Sequence, residues 1–124
     1  MKKVTPTYKL ENKGHYSPGV MSNGLLFISG QLSIDPDTKE VAKGGILEHS
    51  KMALSNLDRV LEEADLLRDA VVQCRVYITD INHWDEFNKV YSEFFGDHKP
   101  ARAVVPVKEL HYGCLVEIEA VAEY

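Results

Sequence analysis

The sequence predicts an α+β fold, a single domain over residues 1–124 with one mixed β-sheet and two helices on one face, in the order β-β-α-β-α-β-β. Three observations carry this. An Asn23-Gly24 pair separates two apolar runs, and both residues tolerate the positive φ that a tight hairpin requires. Two segments repeat apolar residues at helical spacing, each followed by a run rich in β-branched residues. The final segment places apolar residues on one face of a strand and carboxylates on the other.

Taken in order, a short strand is expected around Lys3 to Leu10, followed by a polar connection through Asn12-Lys13-Gly14 and Tyr16-Ser17-Pro18-Gly19. Val20-Met21 and Leu25-Leu26-Phe27-Ile28 then form the hairpin. Asp35-Pro36-Asp37-Thr38 combines a preset φ with short polar side chains and reverses the chain. From Gly45 to Ala64, Ile46, Ala53, Leu54, Leu57, Val60, Leu61 and Ala64 share one stripe opposite Lys51, Asp58, Arg59, Glu62 and Glu63, so an amphipathic helix with one buried face follows. Val71 to Thr79 reads as a strand with Val72, Cys74, Val76 and Ile78 on one face and Gln73, Arg75 and Tyr77 on the other. Asn82 to Phe95 carries the aromatic stripe Trp84, Phe87, Val90, Tyr91, Phe94 and Phe95, a core-facing helix. Strands over Arg102 to Val107 and Cys114 to Ala122, joined by Lys108 to Gly113, close the chain.

Composition narrows the function. A hydrophobic share of 44% and a charged share of 27% belong to an ordinary globular domain. Nineteen acidic against fourteen basic residues give a net charge of −5, a field that repels phosphate backbones and anionic lipid, so neither nucleic acid nor membrane is an expected partner. No apolar run approaches the roughly 20 residues of a membrane span. Met1-Lys2-Lys3 leads into polar residues and not into a signal core, so the expected location is the cytoplasm. Cys74 and Cys114 lack CxxC spacing and read as reduced, buried small hydrophobes.

Phosphate loops, HExxH and GxSxG elbows are missing, and His15, His49, His83, His98 and His111 show no metal-ligand spacing. Metal, nucleotide and acyl-enzyme chemistry are therefore not expected, and the histidines, read as surface or capping residues, are assigned no role. What remains is the last strand, where Val116, Ile118, Ala120 and Ala122 oppose Glu117, Glu119, Val121 and Glu123. The acidic face is left uncovered by the helices, and self-association would bury it. Arg102 follows Pro100-Ala101, and two roles are open to its planar fork: bidentate grip of a ligand carboxylate, or an ion pair with Glu117 or Glu119 across the sheet.

Seven segments together resemble the RidA/YjgF family, also described as L-PSP endoribonucleases or translation initiation inhibitors. They are Tyr16-Ser17-Pro18; Phe27-Ile28-Ser29-Gly30-Gln31 with Asp35-Pro36; Asn56-Leu57 to Val60-Leu61-Glu62; Val76-Tyr77-Ile78-Thr79-Asp80; Phe87-Asn88 to Val90-Tyr91; Pro100-Ala101-Arg102; and Val116-Glu117-Ile118-Glu119-Ala120. The likeness runs from about residue 14 to the C-terminus. It implies a chorismate-mutase-like fold and a homotrimer with a cleft between subunits, without cofactor or metal. The activity it implies is hydrolysis of small 2-imino acids, such as 2-iminobutanoate, 2-iminopropanoate and the 2-aminoacrylate from which such imines derive, to 2-keto acids and ammonia.

Under that resemblance Arg102 matches the arginine that holds the substrate carboxylate, and Glu117 the glutamate that positions the attacking water. Tyr16, Ser29, Gly30 and Asn88 match cleft-lining positions, with Tyr16 expected to close the pocket from a neighbouring subunit. An imine carbon is already electrophilic, so an anchored carboxylate and a placed water suffice for its chemistry. The chain departs from the family pattern at Ala103-Val104 and at Leu110-His111. Two other readings share the cleft: a regulatory trimer that binds small carboxylates without turnover, and an endoribonuclease or translation inhibitor, which the acidic charge disfavours.

Overall fold

A computed structural model describes all of residues 1–124. The strands are β1 (Lys2–Val4), β2 (Gly19–Ser22), β3 (Leu25–Leu32), β4 (Val71–Ile78), β5 (Ala101–Pro106) and β6 (Val116–Glu123), and the helices are α1 (Ile46–Glu63) and α2 (Trp84–Phe95). They form one six-stranded sheet of order β1-β2-β3-β6-β4-β5, antiparallel except for the β4–β5 pair. The predicted α+β architecture holds, but three strands precede the first helix where the expected order had two, and the edge strand is only three residues long where a longer one was expected. The second helix also begins later than Asn82, because Ile81–His83 forms a single 3₁₀ turn capped by the Asp80 carboxylate on the Asn82 N–H.

Local chemistry accounts for the elements. Asn23 and Gly24 take φ values of 52° and 79°, so the β2–β3 hairpin closes through two left-handed residues, as the sequence requires. The bend after β3 is held by Asn56 of α1, whose amide donates to the carbonyls of Leu32 (3.0 Å) and Ile34 (2.7 Å). Gly96, at φ 63°, ends α2 with its N–H on the Ser92 carbonyl.

Both helices cover one face of the sheet. Ala53, Leu54, Leu57, Val60 and Leu61 of α1 and Phe87, Val90, Tyr91 and Phe95 of α2 are buried against Leu26, Ile28, Cys74, Val76, Ile78, Val116, Ile118, Ala120 and Ala122. Full burial of one such aliphatic side chain is worth about 1.5–3 kcal/mol, so this layer dominates the driving force for folding. The predicted faces of β6 are observed, and Cys74 and Cys114 are free and buried. One face assignment needs correction. Val72 is expected on the same face as Cys74, Val76 and Ile78, but those three are buried while Val72 is 38% exposed, and Val71 is buried instead. A register shift against β6 between Val71 and Gln73 displaces the two-residue period by one place at the start of β4.

The other face of the sheet carries no helix. Across it run Leu32, Glu117, Tyr77 and Val105 in one row, and Glu119, Arg75 and Ala103 in the next. Phe27 and Val105 stand 47% and 40% exposed there.

Candidate functional site

The candidate site begins with a defect in β3. Ile28 pairs with Ala120 and Gln31 with Ile118, so Ser29 and Gly30 together oppose Glu119 as a bulge. The Ser29 hydroxyl donates to the Ser17 carbonyl at 2.7 Å, and its N–H donates to the Pro18 carbonyl at 2.9 Å. Ser29 thus fixes the turn that carries Tyr16. Gly30 serves another purpose: its φ is not left-handed, but a Cβ there would lie 2.8 Å from Glu117 Oε2 and 2.9 Å from Cδ. Only a glycine leaves room for the Glu117 carboxyl.

Beside Gly30 opens a cleft of about 720 Å³, walled by Tyr16, Leu32, Ile34, Asn56, His111 and Tyr112 among others. Tyr16 and Gly30 of the same chain line it together, with the Tyr16 ring 55% exposed. The two neighbouring carboxylates differ in their commitments. Glu119 accepts a 2.6 Å hydrogen bond from the Tyr77 hydroxyl and lies 3.8 Å from Arg75 Nη1. Glu117 receives no such donor. Burial first, and the charge of Glu119 second, push its carboxyl above the usual range, while nearby His111 partly opposes the shift. Of the two carboxylates, Glu117 is the one left without a hydrogen-bond donor or ion-pair partner.

Arg102 lies elsewhere. It is in register with Cys74, on the helix-covered side of edge strand β5, and not on the carboxylate face. The alternative ion pair with Glu117 or Glu119 is accordingly not formed. Instead Nη1 donates to Asn88 Oδ1 at 2.8 Å, and the guanidinium stacks over Tyr91 at 4.7 Å and Trp84 at 5.5 Å from the ring centres. The contact with Asn88 and the aromatic faces orient the fork while leaving most of its five N–H donors unused. Within one chain the structure brings Tyr16, Ser29, Gly30 and Glu117 together on one side of the sheet, and Arg102 with Asn88 on the other.

A family model described as Endoribonuclease L-PSP matches residues 7–124. The chain belongs to this family. It is 42% identical over 109 residues to a RutC family protein of Pyrococcus abyssi, covering 88% of this chain and 86% of that one. Against the human 2-iminobutanoate/2-iminopropanoate deaminase it is 38% identical over 109 residues, covering 88% of this chain and 80% of the relative. The crystal structure of the Escherichia coli YjgF gene product superposes with a TM-score of 0.90 at 29% identity, covering 99% of this chain and 98% of that one. These likenesses bear out the RidA/YjgF resemblance read from the seven segments.

Histidines are where the sequence reading fell short. His49, expected to be a surface or capping residue, is 4% exposed, and its Nδ1 lies 2.7 Å from the buried Ser33 hydroxyl and 3.2 Å from the Leu115 N–H. Two donors on Nδ1 make it the acceptor nitrogen, and burial lowers the tendency of the ring to take a proton. His49 therefore ties α1 to the ends of β3 and β6. His111 and Tyr112 line the cleft and were assigned no role; the only sequence signal was the departure from the family pattern at Leu110-His111. No three His, Cys, Asp or Glu side chains converge as a metal-ligand set.

Proposed function

We propose that this chain is an imine deaminase whose active site is completed between copies in a homotrimer, hydrolysing small 2-imino acids to 2-keto acids and ammonia. The observation that carries the proposal is the placement of an uncommitted Glu117 carboxyl over Gly30 at the edge of an open cleft. An orienting guanidinium sits on the opposite side of the same sheet. One substrate cannot touch both groups of a single chain. A second copy packed on the open face supplies its Arg102 to the first copy's Glu117, and the exposed Phe27 and Val105 on that face favour such packing.

In this site the partner's Arg102 grips the substrate carboxylate, and Glu117 holds a water against C2. The water oxygen bonds to C2 as Glu117 takes its proton, the C=N electron pair moves to nitrogen, and Glu117 hands the same proton to that nitrogen. Collapse of the resulting carbinolamine breaks the C–N bond, releases ammonia and returns Glu117 to its starting state. Imine and water are converted to keto acid and ammonia with nothing left over. The direction in which Glu117 is shifted supports this role, since a carboxyl that holds protons more readily is the better shuttle near neutral pH. The human relative's name supports the substrate class.

The test is ammonia release from imines generated in situ by an amino-acid oxidase acting on alanine or 2-aminobutyrate. Wild-type protein accelerates release well above the spontaneous rate, and Arg102→Ala lowers kcat/KM by about 10- to 100-fold, the cost of a lost charge-assisted grip. Release at the spontaneous rate, alongside calorimetric binding of 2-ketobutyrate, would establish a binding protein in place of an enzyme.

A further inference from the structure

The cleft is larger than its proposed four-carbon substrates require. In a single chain it measures about 720 Å³, within the range of pockets that enclose drug-sized ligands, and its lining includes Gly30, against which the Glu117 carboxyl lies. The wall beyond Gly30 includes Tyr8, Leu10, Tyr16, Leu32 and Ile34, apolar and aromatic surface on which a substituent larger than methyl or ethyl buries more area.

At the His111 side this wall has an unusual construction. Tyr112 adopts φ 61° and ψ 17°, left-handed geometry that bulky side chains rarely enter, and Gly113 follows at φ 75°. The loop is closed by the Gly113 N–H on the Leu110 carbonyl and the Cys114 N–H on the His111 carbonyl. It stacks the His111 and Tyr112 rings with centres 3.9 Å apart and planes 19° from parallel, and leaves Tyr112 67% exposed. A folded chain that spends backbone strain to display a flat, open aromatic pair beside a binding cleft has a use for that surface. His111 and Tyr112 line the same cleft as Gly30, against which the Glu117 carboxyl lies, so the stacked pair shares a wall with the reacting end.

We infer that the His111–Tyr112 pair is a specificity platform, and that the preferred ligand is a 2-imino acid with a planar aromatic side chain. The inference rests on the deaminase reading for its reaction and on the cleft geometry for its selectivity. With C2 held at Glu117, the substituent on the next carbon leaves toward His111 and lies flat on the exposed pair, where ring stacking adds to apolar burial.

Calorimetry with the stable keto-acid products separates the two claims. The wild-type chain binds phenylpyruvate more tightly than 2-ketobutyrate. Tyr112→Gly, which removes the ring at a backbone position glycine adopts freely, lowers the ratio of the two affinities by about tenfold, while Tyr112→Phe retains it. A wild-type preference for 2-ketobutyrate, an unchanged ratio in Tyr112→Gly, or no binding of either acid would each overturn the inference. The same ratio measured as kcat/KM on imines from phenylalanine and 2-aminobutyrate reads the reaction. Selective binding without turnover sinks the deaminase and keeps the platform; turnover without selectivity does the reverse.

Discussion

Replacing Gly30 with alanine isolates the position of one carboxyl. The new Cβ would stand 2.8 Å from Glu117 Oε2, 2.9 Å from Cδ and 3.3 Å from Cγ, where ordinary carbon contacts begin near 3.5 Å. The glycine φ is compatible with alanine, and the three nearest atoms all belong to one flexible side chain, so the strain is relieved by moving Glu117 and not the backbone. The required shift is about 0.5–1 Å, and a misplacement of that size at a reacting group costs on the order of 100-fold in rate. The assay is ammonia release from freshly generated 2-iminobutanoate, run beside thermal unfolding. Gly30→Ala is expected to lose about two orders of magnitude in kcat/KM with an unchanged melting temperature. A variant that keeps the wild-type rate, or that loses activity only in proportion to lost folded protein, would refute the assignment of Glu117 as the group that places water.

Other outcomes follow from the same geometry. Arg102→Lys keeps the charge but loses the planar fork that Asn88, Tyr91 and Trp84 orient, and steady-state kinetics should show no more than partial retention of kcat/KM. Glu117, whose carboxyl is raised in the fold, gives stability that is present below the ordinary carboxylate range and lost as pH rises through its raised value. Glu117→Gln should therefore melt higher than wild type at neutral pH, with the difference closing in acid; a constant difference across pH would contradict the shift. Leu57→Ala, at a fully buried α1 position far from the carboxylates, should cost about 2–5 kcal/mol in denaturant unfolding.

Much of the architecture was legible in the residues. The Asn23-Gly24 hairpin, the α1 stripe and the alternation of β6 follow from periods and turn chemistry that neighbours along the chain determine. Val72 was misplaced because a bulge slips a two-residue period, and nothing local marks a bulge between Val71 and Gln73. Arg102 illustrates a different limit. Strand alternation tells which residues share a face within β5, but the parallel register against β4 decides which face that is. Asn88 joins it from a helix whose spacing shows only an aromatic core stripe. His49 looked like an isolated polar residue because its partners, Ser33 and Leu115, come from segments distant in sequence. The His111–Tyr112 stack lies in a loop, where no period exists to read.

The division of Arg102 and Glu117 between two faces of one sheet makes a shared site the central claim, and mixing defective copies tests it. Arg102→Ala and Glu117→Gln are each expected to keep at most about a tenth of the wild-type rate alone. Unfolded together in equal amounts and refolded into the proposed trimer, they are expected to give mixed assemblies in which one cleft pairs an intact arginine with an intact glutamate. Random assembly then restores about a quarter of the wild-type rate, since three in four trimers are mixed and each holds one good cleft of three. Ammonia release that stays at the level of the separate variants, with mixed trimers demonstrated by mass, would show that the two groups do not meet across copies.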